Sequence, residues 1–395
     1  MARFTIVIPT RNRTDALRMT LAGLALQRGA DVIFAVSDNS DPDIAEVNRA
    51  LVAEVLGERS HVYLRPSRVL TMVAHWNFAL KEAPRSDFTG FVTDRMTLAP
   101  EALALCDEVL RATGSPGVSF QSNVVSAVNG SDLPPWPETA RAHRLFTEEV
   151  LCDFARSRLR KDSPRFLNSV VSRKVLDDIA RKFGAVFGGI SPDYAFTFRF
   201  LDMVAEYYHL DVALLIDHSP QISNGMAVTR NIASAANNDF IARLMSEQAS
   251  EFATGPIPNE TRLLNNVILR EMEIARSSTQ EPVRFPPVNA QAFHLAAASA
   301  LRRSIRIFDP DTRLLQAKIE AYRVNHGLPA WSARVRRSNL AVAVRNSLAC
   351  WLGKAGLPGV TRDAAGDARL LRNLQALGRP RLDILGTLTS GEQVP

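Results

Sequence analysis

Cysteine is scarce in this chain: three in 395 residues, Cys106, Cys152 and Cys350, far apart and without C-x-x-C spacing. So odd and scattered a set argues against a disulfide framework or a zinc site, and it suits a reducing compartment. Long apolar runs are missing as well. None approaches the roughly 20 residues that cross a bilayer. The first apolar stretch, residues 4–9 (FTIVIP), is too short for a secretory core and reads as a strand. Glycine-rich phosphate loops are the third absence. The first strand runs into PTRNR instead of G-x-G-x-x-G, and G-x-x-x-x-G-K-[ST] occurs nowhere. Without a glycine turn, a pyrophosphate cannot approach the first helix closely, which disfavours NAD-dependent and P-loop NTPase chemistry. Internal repeats and low-complexity tracts are also lacking.

What remains is an ordinary globular composition, 46% apolar and 22% charged, at a length beyond a single compact core. Charge separates front from back. From Arg284 onward, 17 Lys and Arg stand against 7 Asp and Glu; residues 1–283 hold the other 30 and 34 of the totals of 47 and 41. A mildly acidic front and a basic back predict two units, 1–280 and 290–395. Between them, RSSTQEPVRFPPVN (276–289) holds three prolines and sustains neither a helix nor a central strand.

The front alternates in type. Residues 4–8, 31–37, 61–65 and 88–93 read as strands. Helices follow with Thr14 as N-cap, after Pro42 through Ile44, Val47, Leu51 and Val55 to Gly57, over 71–82, and from Pro100 toward Leu110. This pitch predicts an α/β fold with a doubly wound, mainly parallel sheet and flanking helices. Ligands of such sheets lie beyond the carboxyl ends of the strands. The polar clusters there are Thr10-Arg11-Asn12-Arg13, Asp38-Asn39-Ser40 and Thr93-Asp94-Arg95.

The run VIPTRNRTDALRMTLAGLALQ followed by VSDNS resembles the opening of family 2 glycosyltransferases, which have a GT-A fold. The likeness continues through LTMVAHWNFALKEA, FTGFVTDRMTLAP, SPRFLNSVVSRKVL and GGISPDYAF, covering residues 4 to roughly 220. It implies an inverting transfer of a sugar from a nucleotide-sugar donor to a hydroxyl of a glycan or lipid-linked acceptor. It also implies that Pro9, Thr10, Arg11 and Asp38 hold the base and ribose. For Asp38, the local alternative is a turn former; for Arg11 and Arg13, a solvated face. The family's D-x-D cluster aligns with Asp94-Arg95-Met96, so one carboxylate is left where several would hold Mg²⁺ or Mn²⁺. Either Asp94 alone, helped by diphosphate oxygens and water, holds a weak metal, or Arg95 supplies positive charge to the diphosphate directly; His218 is a candidate late ligand for the metal or the diphosphate, as some members of that fold use a His there. A third possibility is a non-catalytic relative that still binds a nucleotide-sugar or a glycan.

The family's general base corresponds to Asp193 in GGISPDY. Ser191 as N-cap, Pro192 at N1 and Asp193 in the first turn also make a favourable helix start, and the helix dipole should lower the carboxyl pKa. Asn168 and Arg165 are candidates for an acceptor pocket, with loop-to-strand entry as the alternative. In the His75-Trp76-Asn77 stretch, Trp76, Phe78 and Leu80 read as core residues and Asn77 as a helix-to-loop hydrogen-bond partner. Behind the boundary, residues 331–354 carry Arg334, Arg336, Arg337, Arg345 and Lys354 with no acid, among Trp331, Val335, Leu340, Val344, Leu348, Trp351 and Leu352. Such a segment suits an anionic membrane surface or a helix packed with its basic face in water. Nucleic-acid binding is disfavoured, because neither a zinc module nor a stacking pattern is present. The expected location is cytoplasmic, either free or peripheral at the membrane's cytoplasmic face.

Overall fold

β-Branched and aromatic runs supply the strands. In the computed structural model, which describes residues 2–124, 136–218, 248–304, 310–330 and 364–387, β1 (Phe4–Thr10), β2 (Val32–Asp38), β3 (His61–Leu64) and β4 (Phe88–Phe91) pair in parallel in the order β3-β2-β1-β4. Every residue of β1 is buried, as a strand covered on both faces requires. The connections are α1 (Thr14–Leu24), α2 (Pro42–Leu56) and α3 (Met72–Glu82), with α4 (Ala102–Thr113) after the fourth strand. Thr71 caps α3 by accepting the Ala74 N–H at 3.3 Å. Thr14 opens α1 from inside the helix instead of capping it. Its hydroxyl is drawn to Asn48 Oδ1 on α2, 2.8 Å away, and the cap position falls to Arg13.

The remaining strands are β5 (Met96–Leu98), β6 (Gly117–Val124), β7 (Thr139–Phe146), β8 (Ser169–Ser172), β9 (Glu206–Asp217) and β10 (Arg381–Thr387). They extend the mostly parallel sheet to the order β10-β7-β9-β6-β8-β4-β1-β2-β3, with β5 pairing off this path onto β9. β8 runs antiparallel between β4 and β6, and β9 is antiparallel to both β5 and β7. Around it lie α5 (Thr147–Ala155), α6 (Arg173–Phe183), α7 (Pro192–Met203), α8 (Ala249–Ala253), α9 (Leu264–Ser277), α10 (Ala290–Ser304), α11 (Pro310–Asn325) and α12 (Ala364–Ala376).

Residues 278–289 form neither helix nor strand, as their prolines predict. They are strapped to the end of α7. Arg284 donates to the carbonyls of Leu201, Asp202 and Val204, and its own N–H meets Asp202 Oδ1 at 2.7 Å. A cation on the unpaired carbonyls of a helix C-terminus is favourable. Beyond the strap, Phe293, Ala297, Leu301, Leu315, Ile319 and Tyr322 enter the same apolar core as the front strands. Leu370 and Leu374 of α12 pack on Met19 and Ile216. Residues 331–354, the basic segment of the sequence, lie outside the described residues. Among the described residues no helix is long and apolar enough to cross a membrane.

One close approach fixes the third layer of contacts. A Cβ built on Gly23 of α1 would lie 2.3 Å from Thr97 Oγ1 on β5, and Thr97 is fully buried. Gly23→Ala therefore forces α1 away from the strand that follows Arg95. Overpacking of this kind should destabilise the fold by about 1–3 kcal/mol, read as a lower urea midpoint at unchanged slope.

Candidate functional site

The parallel register of β1 and β2 sets Thr10 beside Asp38. Their exit loops are then tied together. Asn12, at φ 52°, is a residue type that tolerates the left-handed region. Its N–H donates to Ser40 Oγ at 2.8 Å, while its side chain exchanges hydrogen bonds with Asp41, each 3.0 Å. Asp38 is the hub of this corner. Its carboxylate accepts from the Ser40 N–H (2.8 Å), Asn48 Nδ2 (2.8 Å) and the Tyr63 hydroxyl (2.7 Å), and it is fully buried. The turn-forming role of Asp38 is thus visible in its bonds. Asp38, Asn39 and Ser40 also line a cleft of about 400 Å³, with Arg65 and Arg68 opposite. Asn39 holds the far wall by bonding both the N–H and the carbonyl of Leu70, at 2.9 and 2.8 Å.

Asp94 follows β4 and is buried. Its two oxygens take Thr10 Oγ1 at 2.9 Å and Arg13 Nη1 at 3.3 Å. Burial pushes its pKa up, against the pull of Arg13, the Thr10 hydroxyl and the Arg11 N–H. Arg95 is ion-paired with Asp217 at the end of β9, both side chains mostly covered. His218, buried, places Nε2 3.0 Å from Thr20 Oγ1, and its N–H donates to the Arg95 carbonyl. Met96 is a buried residue of β5, opposite Asp217 in the ladder. This donor set does not fit the Mg²⁺ or Mn²⁺ that the resemblance implies. The single carboxylate already carries an arginine, its sequence neighbour is positive, and the third position is a core strand residue. Among the described residues no cluster of three or more His, Cys, Asp or Glu forms a metal-holding group.

Asp193 lies in the first turn of α7, behind Pro192 at N1. Ser191 takes the N-cap position without a side-chain cap bond. The local dipole rule predicts a depressed carboxyl pKa, and the structure reverses the sign. Burial raises it, outweighing Arg165, the N–H groups of Tyr194 and Asp193, and Arg95. The charges of Arg95 and Arg165 thus both reach Asp193, which joins the β4 exit to the start of α7 in one electrostatic environment. Asn168 is not free to meet an acceptor. Its Oδ1 accepts the Arg165 N–H at 2.8 Å and its Nδ2 donates to the carbonyls of Phe120 and Ser163. Asn77 bonds helix to loop as expected, pairing with both the N–H and the carbonyl of Phe187 at 3.1 and 3.0 Å. His75 is buried against Ser37 Oγ at 2.9 Å, and burial lowers its pKa to about 4, leaving a neutral ring.

One residue escaped the sequence reading. Glu271 of α9 reaches the loop ahead of Asp193, its Oε1 accepting the N–H groups of Ile190 and Ser191 at 2.9 Å each. The available signal was periodicity: Glu271 falls on the apolar stripe of Ile268, Met272 and Ala275, where a solvated acid has no place.

No known family model matches the chain, and no curated protein matches it either. Solved structures resemble it in chain course. S. aureus TarS 1-349 has a TM-score of 0.43 at 14% identity, over 92% of this chain and 97% of that one. Its complex with UDP-GlcNAc gives 0.43 at 12%, over 83% and 93%. The mannosyltransferase PcManGT from Pyrobaculum calidifontis, in complex with GDP-Man and Mn²⁺, gives 0.41 at 13%, over 88% and 87%. At such values these likenesses decide nothing about the chemistry of the site.

The bonding of Asp38 yields a direct test. Asp38→Asn turns an NH₂ toward three groups that donate, so at least one donor loses its acceptor in a buried setting. The variant should lose about 1–3 kcal/mol of unfolding free energy in urea titration without any ligand present. Unchanged stability would mean that Asp38 is not the hub of the corner.

Proposed function

We propose that the chain is a glycosyltransferase that moves a sugar, with inversion, from a nucleotide-sugar donor to a hydroxyl of a glycan or lipid-linked acceptor. The observation that carries this reading is the Asp193 carboxylate, half-buried at the start of α7 within reach of the Arg95 and Arg165 charges. The acceptor oxygen attacks the anomeric carbon as its proton passes to a carboxylate oxygen of Asp193. The bond from that carbon to the phosphate oxygen breaks, and its electron pair leaves with the nucleoside diphosphate. Burial raises the Asp193 pKa, and a carboxylate so shifted binds the acceptor proton more strongly in this step. Arg95, held by Asp217, offers a fixed positive charge where the leaving diphosphate gains negative charge. Pro9, Thr10, Arg11 and Asp38 then border the base and ribose, beside a cleft whose volume falls in the usual range for small ligands.

A second reading is a non-catalytic binder of a nucleotide-sugar or glycan. The observation favouring it is the lone carboxylate at Asp94, already engaged by Arg13. Three further proposals rest on sequence alone: a unit boundary between 280 and 290, a cytoplasmic location, and residues 331–354 lying on an anionic membrane.

Two measurements separate these readings. With UDP-, GDP- and dTDP-sugars as donors, Asp193→Asn should lower kcat by about 10²-fold or more while donor Kd stays within about twofold. Equal rates in wild type and variant remove Asp193 from the mechanism, and the absence of turnover with every donor leaves the binder. In calorimetry, nucleoside diphosphate affinity should be indifferent to Mn²⁺ and should fall about tenfold or more in Arg95→Ala. Affinity that rises steeply with Mn²⁺ would restore a metal site at Asp94.

A further inference from the structure

The loop ahead of Asp193 is gripped from below. Glu271 is fully exposed to neither solvent nor cleft: its relative accessibility is 0%. One oxygen holds two successive backbone N–H groups, and Oε2 has no hydrogen-bond partner. The loop has been thinned to allow this approach. Gly189 has φ 61°, and a Cβ there would stand 1.7 Å from Oε2. A Cβ on Gly188 would stand 2.3 Å from Nη2 of Arg199, itself buried and bonded to the Ala185 carbonyl at 2.9 Å. Two adjacent glycines thus face two buried ionisable groups, and the next two residues hang on one carboxyl oxygen. The loop is largely covered, so apolar packing alone would leave the Ile190 and Ser191 N–H groups without an acceptor, and the carboxyl oxygen supplies one to both.

We infer that Glu271 is the positioning residue for Asp193: by holding the N–H groups of Ile190 and Ser191 it fixes the first turn of α7 and so the direction of the base. The inference rests on the reading of Asp193 as the base. It adds a prediction about protons. Burial raises the Glu271 pKa to about 8, against the two N–H groups and Arg270, and the Asp193 charge pushes it the same way as burial. Below that pH Glu271 keeps its proton and grips the loop as a neutral acid; above it, a negative charge appears beside the base. The charged groups around Glu271 are Arg270 on its own helix and Asp193 and Arg199 on α7. From α10, the other helix on α9, Phe293, Ala297 and Leu301 go into the core, while His294 answers to Arg323 and Glu320.

The test compares Glu271→Gln and Glu271→Ala in the full chain. Gln keeps an oxygen for both N–H groups and cannot ionise. It should hold kcat within about twofold at pH 7 and lack the fall in kcat expected of the wild type above pH about 8. Ala should lower kcat about tenfold or more with donor Kd unchanged. Amide exchange at Ile190 and Ser191, measured without substrate, should accelerate at least tenfold in Ala and stay near wild type in Gln. The inference is overturned if exchange at these amides is unchanged in Ala, or if both variants keep the wild-type kcat and pH profile while Asp193→Asn is inactive. Should Ala fail to fold, the Gln pH profile decides alone: a retained alkaline limb refutes the role. An impaired Ala variant beside a fully active Asp193→Asn would instead sink the reading of the base.

Discussion

Five aromatic rings meet under the candidate site, and its geometry depends on them. Trp76 comes from α3, Phe91 from the end of β4, Phe166 from the loop before β8, Phe187 from the loop before α7, and Phe196 from α7 itself. Phe166 stacks on Phe196 at 4.4 Å and on Phe91 at 5.0 Å, while Trp76 meets Phe187 edge-on at 5.2 Å. Each such pair adds about 0.5–1.5 kcal/mol beyond the area it buries. More important is where the rings sit in the chain. Phe187 directly precedes Gly188 and Phe196 lies one helical turn past Asp193. The backbone between them is thus pinned at both ends to the same cluster, which also fixes the strand leading to Asp94.

Polar groups finish what the rings begin. Asn77 secures Phe187, Glu271 secures Ile190 and Ser191, and Arg284 closes the far end of α7. A helix held at its first turn, its buried flank and its last carbonyls has little freedom to rock. The Asp193 carboxylate is therefore held in a fixed direction, and on the proposed role that matters, because small displacements of a base cost large factors in rate. The corner at the exits of β1 and β2 is organised differently. There the restraint comes from a network around one buried carboxylate, Asp38, whose donors arrive from the following turn, α2 and β3.

The parallel half of the sheet was legible because its strands are short β-branched runs separated by amphipathic helices, and that pattern is local. The start of helix α2 was read to within a residue, since Pro42, after which the helix was expected, takes its first position. The antiparallel placement of β8 was not legible: SVVS carries no mark of direction, and its neighbours β4 and β6 are chosen by packing. The same limit applies to Asp193. Its place at a helix start could be read from Ser-Pro-Asp, but the sign of its pKa shift depends on burial, which the tertiary structure creates. Glu271 lies 80 and 81 positions from the two residues it holds, and only its place on an apolar stripe hints at it. The loss of carboxylates at the D-x-D position, by contrast, was visible in Arg95 and Met96 before any coordinates.

β10 has a consequence for how the chain is made. It covers the outer edge of β7 in parallel register, Arg381 opposite Thr139. A ribosome releases residue 139 long before residue 381, so during synthesis the edge of β7 waits with unpaired N–H and carbonyl groups. Such an open edge can recruit another nascent chain. Chaperone dependence in the cell should therefore be set by the delay before β10 arrives, and a chain halted before that strand should aggregate through the β7 edge even with every residue around Asp193 in place.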